Sequence, residues 1–214
     1  MVVRRGRWKT VCARVACPTW SSGPSTSPLC FLKHVSDVLL ANVARRARDR
    51  RTQIDMGDLS VPKLGSPLTA LGVTKAEAAL GFEVPELLKQ LYQTVGNGGF
   101  GPGYGLIGLS GGTPDDLGRD AIQLYQFYSS ADPDDTDWRW PVGLLPICHW
   151  GCAIYSCIEC KSDGNPMWVF DPNRHDQAWT QCFIPAKRTL ESWLEAWAVG
   201  TKLWNEMYVG RQET

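Results

Sequence analysis

Cys148, His149, Cys152, Cys157 and Cys160 form the densest grouping of chemically capable side chains in this 214-residue sequence. Thiolate sulfur and imidazole nitrogen are the ligands of structural zinc. Such sites place their ligands in pairs around tight turns, whereas Cys152-Ala153-Ile154-Tyr155-Ser156-Cys157 reads as a strand-like run without a turn residue. Cys148 and His149 would be a thiol nucleophile and its base, but neighbours on a strand face opposite ways. The same geometry separates Cys157 from Cys160 as a redox pair, three positions apart. His175 follows Asp171-Pro172-Asn173 in a polar loop, where it reads as a surface histidine. Neither His149 nor His175 opens the His-x-Glu of a deaminase, and no Gly-x-Ser-x-Gly elbow occurs. The expectation is therefore no catalytic residue, no metal and no cofactor, with the eight cysteines mostly reduced, buried thiols. The cysteine-rich strand keeps a special role open.

Gly96-Asn97-Gly98-Gly99-Phe100-Gly101 spells the GxGxxG of a dinucleotide loop. That loop works by following a strand and opening a helix, whose N-terminus then faces the pyrophosphate. Here a helical stripe (Leu87, Leu88, Leu91, Tyr92, Val95) precedes the glycines, and Pro102, Gly103 and Gly105 block a helix behind them. No lysine strand, HRD or DFG segment supports a kinase loop. Gly96, Gly98, Gly99, Gly101, Gly103 and Gly105 are thus expected to carry the chain from a helix into a sheet, with Phe100 and Tyr104 as packing or rim residues beside them.

The run Asp132-Pro133-Asp134-Asp135-Thr136-Asp137 invites calcium, but Asp137 and Gly143 stand where an EF-hand loop needs glycine and glutamate. It reads either as a solvated loop or as a contact surface. The sharper reading joins Asp115, Asp116, Asp132, Asp134, Asp135 and Asp137 with the flanking Trp138 and Trp140 into a face for a basic partner. Of Trp138, Trp140, Trp150, Trp168, Trp179, Trp193 and Trp197, most are expected in the core and some at an interface.

The elements that must position these residues follow from periodicity. Thr74-Lys75-Ala76-Glu77 fits a capping box that opens a short helix stopped by Gly81, and Pro85 suits the first position of the next. Leu106 to Leu109 reads as a short strand, and Leu117, Ala121, Leu124, Tyr125 and Tyr128 recur with helical spacing. Strands are expected at Leu144 to Cys148, Cys152 to Cys160, Met167 to Phe170 and Ala178 to Ile184, with Ser162-Asp163-Gly164-Asn165 as a hairpin turn. Leu190, Trp193, Leu194 and Trp197, with Leu203-Trp204, mark a closing amphipathic helix. That order predicts an α+β domain with a mainly antiparallel sheet flanked by helices.

Charge divides the chain. Residues 1 to 55 hold eleven Lys or Arg against three Asp or Glu, and residues 56 to 214 hold eleven against nineteen. The expectation is one acidic domain over residues 56–214 behind a basic extension over 1–55, its first thirty residues poorly ordered and a basic helix following from Phe31 to Arg51. Met56 is an alternative start that would make the head an extension of the gene model. The head offers at most nonspecific contact with nucleic acid. No apolar run approaches the roughly 18 residues of a membrane span, and no apolar stretch follows Arg4-Arg5-Gly6-Arg7 as in a signal peptide, so a cytoplasmic protein is expected.

Five segments in order then carry a resemblance: Pro85 to Tyr92; Gly96 to Gly105; Trp140-Pro141 through Leu145-Pro146-Ile147-Cys148-His149-Trp150-Gly151; Val169-Phe170-Asp171-Pro172; and Leu190-Glu191-Ser192-Trp193-Leu194. Together they resemble the SUKH superfamily, the Smi/Knr-type domains, over roughly Leu71 to Tyr208. The resemblance implies helices around a mainly antiparallel sheet, no enzymatic activity and no catalytic residues to carry over. It also implies a protein partner, with two classes of role. One is an immunity protein that neutralises a polymorphic toxin, often a nuclease, by binding it; the other is a regulatory adaptor of the Smi/Knr cell-wall signalling type. A cysteine- or zinc-dependent enzyme is the remote third class. The cysteine-rich strand and the basic head depart from the family pattern.

Overall fold

The structure, a computed structural model, describes residues 28–49, 63–132, 134–175 and 178–207. Its elements run α1 (Pro28–Arg48), α2 (Ala70–Leu80), α3 (Glu86–Thr94), α4 (Ala121–Ser129), β1 (Leu144–His149), β2 (Tyr155–Glu159), β3 (Pro166–Phe170), β4 (Phe183–Thr189), α5 (Leu190–Ala198) and α6 (Leu203–Met207). The four strands form an antiparallel meander in sequence order, so the fold is α+β.

Helix ends follow local chemistry, with one correction. α2 is capped by Thr69, whose side chain accepts from Gly72 N–H, and closed by Gly81 in the left-handed region at φ 76°. Thr74 lies inside the helix, its hydroxyl donating to the Ala70 carbonyl, and Glu77 accepts from Val84 N–H. The box expected at Thr74 lies five residues too late: the working cap, Thr69, lacks the reciprocal acid that makes such boxes visible. Pro85 occupies the cap position of α3, just ahead of the first turn. α4 and α5 both open on true boxes, Asp120 with Gln123 and Thr189 with Ser192. Leu117 lies before α4 and is exposed, so it belongs to no stripe. Gly200, at φ 97°, separates α5 from α6 and divides the single closing helix that the spacing predicts.

The basic helix is real and docks. Leu39, Val43 and Ala47 of α1 are buried in the main core, while Val38 is exposed. Arg46 lays its guanidinium 4.8 Å above the Trp197 ring of α5. Its bounds are Pro28–Arg48 in place of Phe31 to Arg51, so residues 28–30 are helical; what was expected of residues 1–27 and of Arg50 and Arg51 lies outside the described residues.

Two expected strands change form. Leu106 to Leu109 makes a single bridge, Leu106 with Cys148, and Ile107 N–H bonds the Ile147 carbonyl; the pairing goes no further because the Ile107 carbonyl and the Gly108 and Leu109 N–H groups are taken by the Tyr92 hydroxyl, Thr113 and Asn97. Ala178 to Ile184 begins as a 3-10 turn at Trp179–Cys182, and β4 starts only at Phe183. The run from Cys152 is also shorter: Cys152 and Ala153 adopt φ 50° and 57° in the β1–β2 hairpin turn, and β2 starts at Tyr155.

Candidate functional site

The aspartate loop between α4 and β1 stands on an aromatic frame. Trp138 donates its indole N–H to the Tyr128 carbonyl at 2.7 Å, and Trp140 donates its own to the Leu144 carbonyl at 2.7 Å. Tyr128 stacks on Trp140 with ring centroids 4.8 Å apart, and Phe170 meets Trp140 edge-on at 5.0 Å. Both tryptophans are more than nine-tenths buried. Sequence reasoning placed Trp138 and Trp140 on the contact surface; with their N–H groups spent internally, they hold the loop from beneath.

The six aspartates separate by burial. Asp116, Asp132, Asp134 and Asp137 are exposed and Asp135 is half-buried. Asp115 is 6 % exposed: one carboxylate oxygen accepts from the Leu117 and Arg119 N–H groups at 3.0 and 2.8 Å, the other from the Tyr155 hydroxyl at 3.1 Å. Its hydrogen-bonding capacity faces inward, so Asp115 braces the loop before α4 against β2. Asp135 is also internally engaged, accepting the Trp179 indole N–H and the Asp137 amide.

In front of this frame lies an open groove of about 650 Å³. Asp135, Asp137, Trp140, Trp179, His175 and Phe183 line it. Trp179 meets Trp138 edge-on at 4.7 Å, and His175 stacks on Trp179 at 4.0 Å. The groove thus joins the aspartate loop to a wall more than forty residues later. Asp137, Trp179 and His175 were not grouped by sequence reasoning; the only signal was an unusual number of tryptophans near polar loops.

The glycine stretch is buried structure. Gly98, Gly99, Gly101, Gly103 and Gly105 all have positive φ, and Gly96 does not. A Cβ at Gly99 would penetrate the Lys63 carbonyl, and one at Gly103 would lie 2.7 Å from the Trp150 ring. Asn97, 4 % exposed, accepts from Leu109 N–H at 2.8 Å and ties the loop to the segment behind it. Tyr104 N–H donates to the His149 carbonyl and Ile107 N–H to the Ile147 carbonyl, so the stretch lies along the outer edge of β1.

Around the cysteines the chemistry is muted. Burial pushes the Cys160 thiol up to about 12 and the Cys157 thiol higher, so both stay protonated at neutral pH. Cys148 sulfur donates to the Pro102 carbonyl. His149 instead stacks on Tyr104 at 4.8 Å, its Nδ1 buried without a hydrogen bond among the described residues and 3.9 Å from Asp116. Burial lowers its pKa, and the charges of Asp116 and Asp115 push it back up. The turn at Cys152 and Ala153 removes the premise that this run holds no turn; among the described residues, no three His, Cys, Asp or Glu side chains gather to hold a metal ion.

The model of the SMI1 / KNR4 family (SUKH-1) matches residues 67–195, more than half of the sequence. The chain belongs to this family. The match spans the glycine stretch, the aspartate loop and the whole sheet, so both surfaces described above lie within the SUKH-1 domain. Comparison with curated proteins and with solved structures returns no match. Among the described residues no helix is long and apolar enough to cross a membrane.

Proposed function

We propose that this protein is a non-enzymatic, cytoplasmic binding module of the immunity type, which neutralises a polymorphic toxin by capturing a basic face of it. One observation carries this reading: Asp132, Asp134 and Asp137 stand exposed on a loop whose packing is completed beneath by Trp138 and Trp140, and Asp137 lines an open, aromatic-walled groove beside it. Exposed carboxylates on a braced loop attract a cationic surface from a distance, and a half-buried indole beside them supplies desolvated contact area. SUKH-1 membership supports a protein partner. The toxin class fits the charge, since nucleases carry basic substrate-binding faces.

Co-expression with each neighbouring open reading frame tests it. One neighbour is expected to be toxic alone and harmless in the presence of this protein. Asp132→Lys with Asp134→Lys is expected to lower the association rate with that toxin by about tenfold at low salt. Association that stays unchanged at every ionic strength would discard the acidic face, and the absence of any toxic neighbour would discard the immunity role.

A further inference from the structure

The geometry points to the groove as an arginine socket: it takes one arginine side chain of the partner, stacked flat on Trp179 and paired with the carboxylate of Asp137. This rests on the aspartate loop being the docking face and names what enters it.

Three observations converge. Asp135 is occupied by the Trp179 indole and the Asp137 amide, whereas Asp137 lines the groove and its carboxylate makes no hydrogen bond or ion pair among the described residues. Arg139, the cationic residue of the lining, turns its guanidinium onto the Thr136 and Trp138 carbonyls at 2.8 and 2.6 Å and so leaves Asp137 unneutralised. Trp179 is half-buried, and the exposed imidazole of His175, a small planar ring, stacks on it at 4.0 Å and 30°. A guanidinium is likewise planar, and it is the cation best suited to stack on an aromatic face while bonding a carboxylate in its own plane. The protein already uses this packing, with Arg119 4.0 Å above the Phe127 ring. An apolar anchor would fill the same space but leave Asp137 desolvated without a partner. Lysine would satisfy the charge but is more strongly hydrated and cannot stack. The volume of about 650 Å³ admits the side chain with part of its flanking backbone.

The full-length protein is titrated with the capped peptide Gly-Gly-Arg-Gly-Gly and with versions carrying lysine or citrulline, following tryptophan fluorescence. Saturable binding is expected for the arginine peptide, about tenfold weaker for lysine and weaker still for the neutral citrulline. Asp137→Asn, at an exposed position, is expected to weaken the arginine peptide by about tenfold, and His175→Ala to tighten it several-fold by uncovering Trp179. An arginine peptide that does not bind, that binds no better than lysine, or that ignores both substitutions overturns the socket. Failure of the peptide alongside salt-sensitive loss of toxin association in the Asp132→Lys, Asp134→Lys protein would sink the socket alone. Peptide binding with toxin association untouched by those reversals would sink the acidic-face reading instead.

Discussion

Asp115→Ala separates a brace from a contact residue. The substitution removes a buried acceptor that serves three donors: the Leu117 and Arg119 amides and the Tyr155 hydroxyl. Stranding each donor costs about 1–1.5 kcal/mol, so the loss of folding stability should reach about 3–4.5 kcal/mol. In a domain of this size about 1 kcal/mol moves the melting temperature by about 2–4 °C, which puts the expected fall at roughly 6–18 °C. Asp116→Ala, one residue on and exposed, should stay within about 2 °C. Asp115→Asn should recover part of the loss, because an amide oxygen still accepts both backbone N–H groups. Thermal and urea unfolding of the three variants give the comparison. Equal melting temperatures for the alanine variants at 115 and 116 would refute the brace. So would an Asp115→Ala protein of full stability that has lost its partner, since that outcome would return Asp115 to the contact face.

Two other perturbations follow from the same packing. His149 titrates below its ordinary value in the folded protein, so the unfolded chain binds the extra proton first as pH falls; stability should be full above about pH 6.5 and decline below it, until the folded histidine also protonates. Urea midpoints between pH 7.5 and 5.5 should show that decline flattened in His149→Gln, and an unchanged slope would rule His149 out as its source. Gly99→Ala should cost the about 1–3 kcal/mol of a left-handed non-glycine residue and, in addition, the displacement of Lys63. Gly111→Ala, also at positive φ but with nothing within 4 Å, should incur only the first; equal losses in the two variants would show that close approach plays no part at Gly99.

Local chemistry made much of the architecture legible. Gly81 in its left-handed cap, the α3 stripe and the Ser162 to Asn165 turn are properties of a few adjacent residues, and they lie where the sequence puts them. What failed was decided at a distance. Cys152 and Ala153 are forced into the left-handed region by the hairpin they close, although neither residue type favours it. Asp115 carries the charge of a surface residue, and one of its partners, Tyr155, lies forty positions away on β2. The order of helices and strands predicted the fold class, but the groove is a long-range product. Asp137 and Trp179 meet across it because the meander returns β4 past the aspartate loop, and neither segment alone records that encounter.

The glycine stretch lying along β1 also governs how this protein can be joined by another. Strand addition needs an unpaired edge, and Tyr104 and Ile107 already bond to the β1 carbonyls on one side of the sheet. The opposite outer strand, β4, exposes Pro185 and Lys187, a missing donor and a charge that both resist pairing. With one margin occupied and the other blunted, a partner gains little from offering its backbone. Recognition is left to side chains, a mode in which new specificities arise by point substitution on an unchanged scaffold.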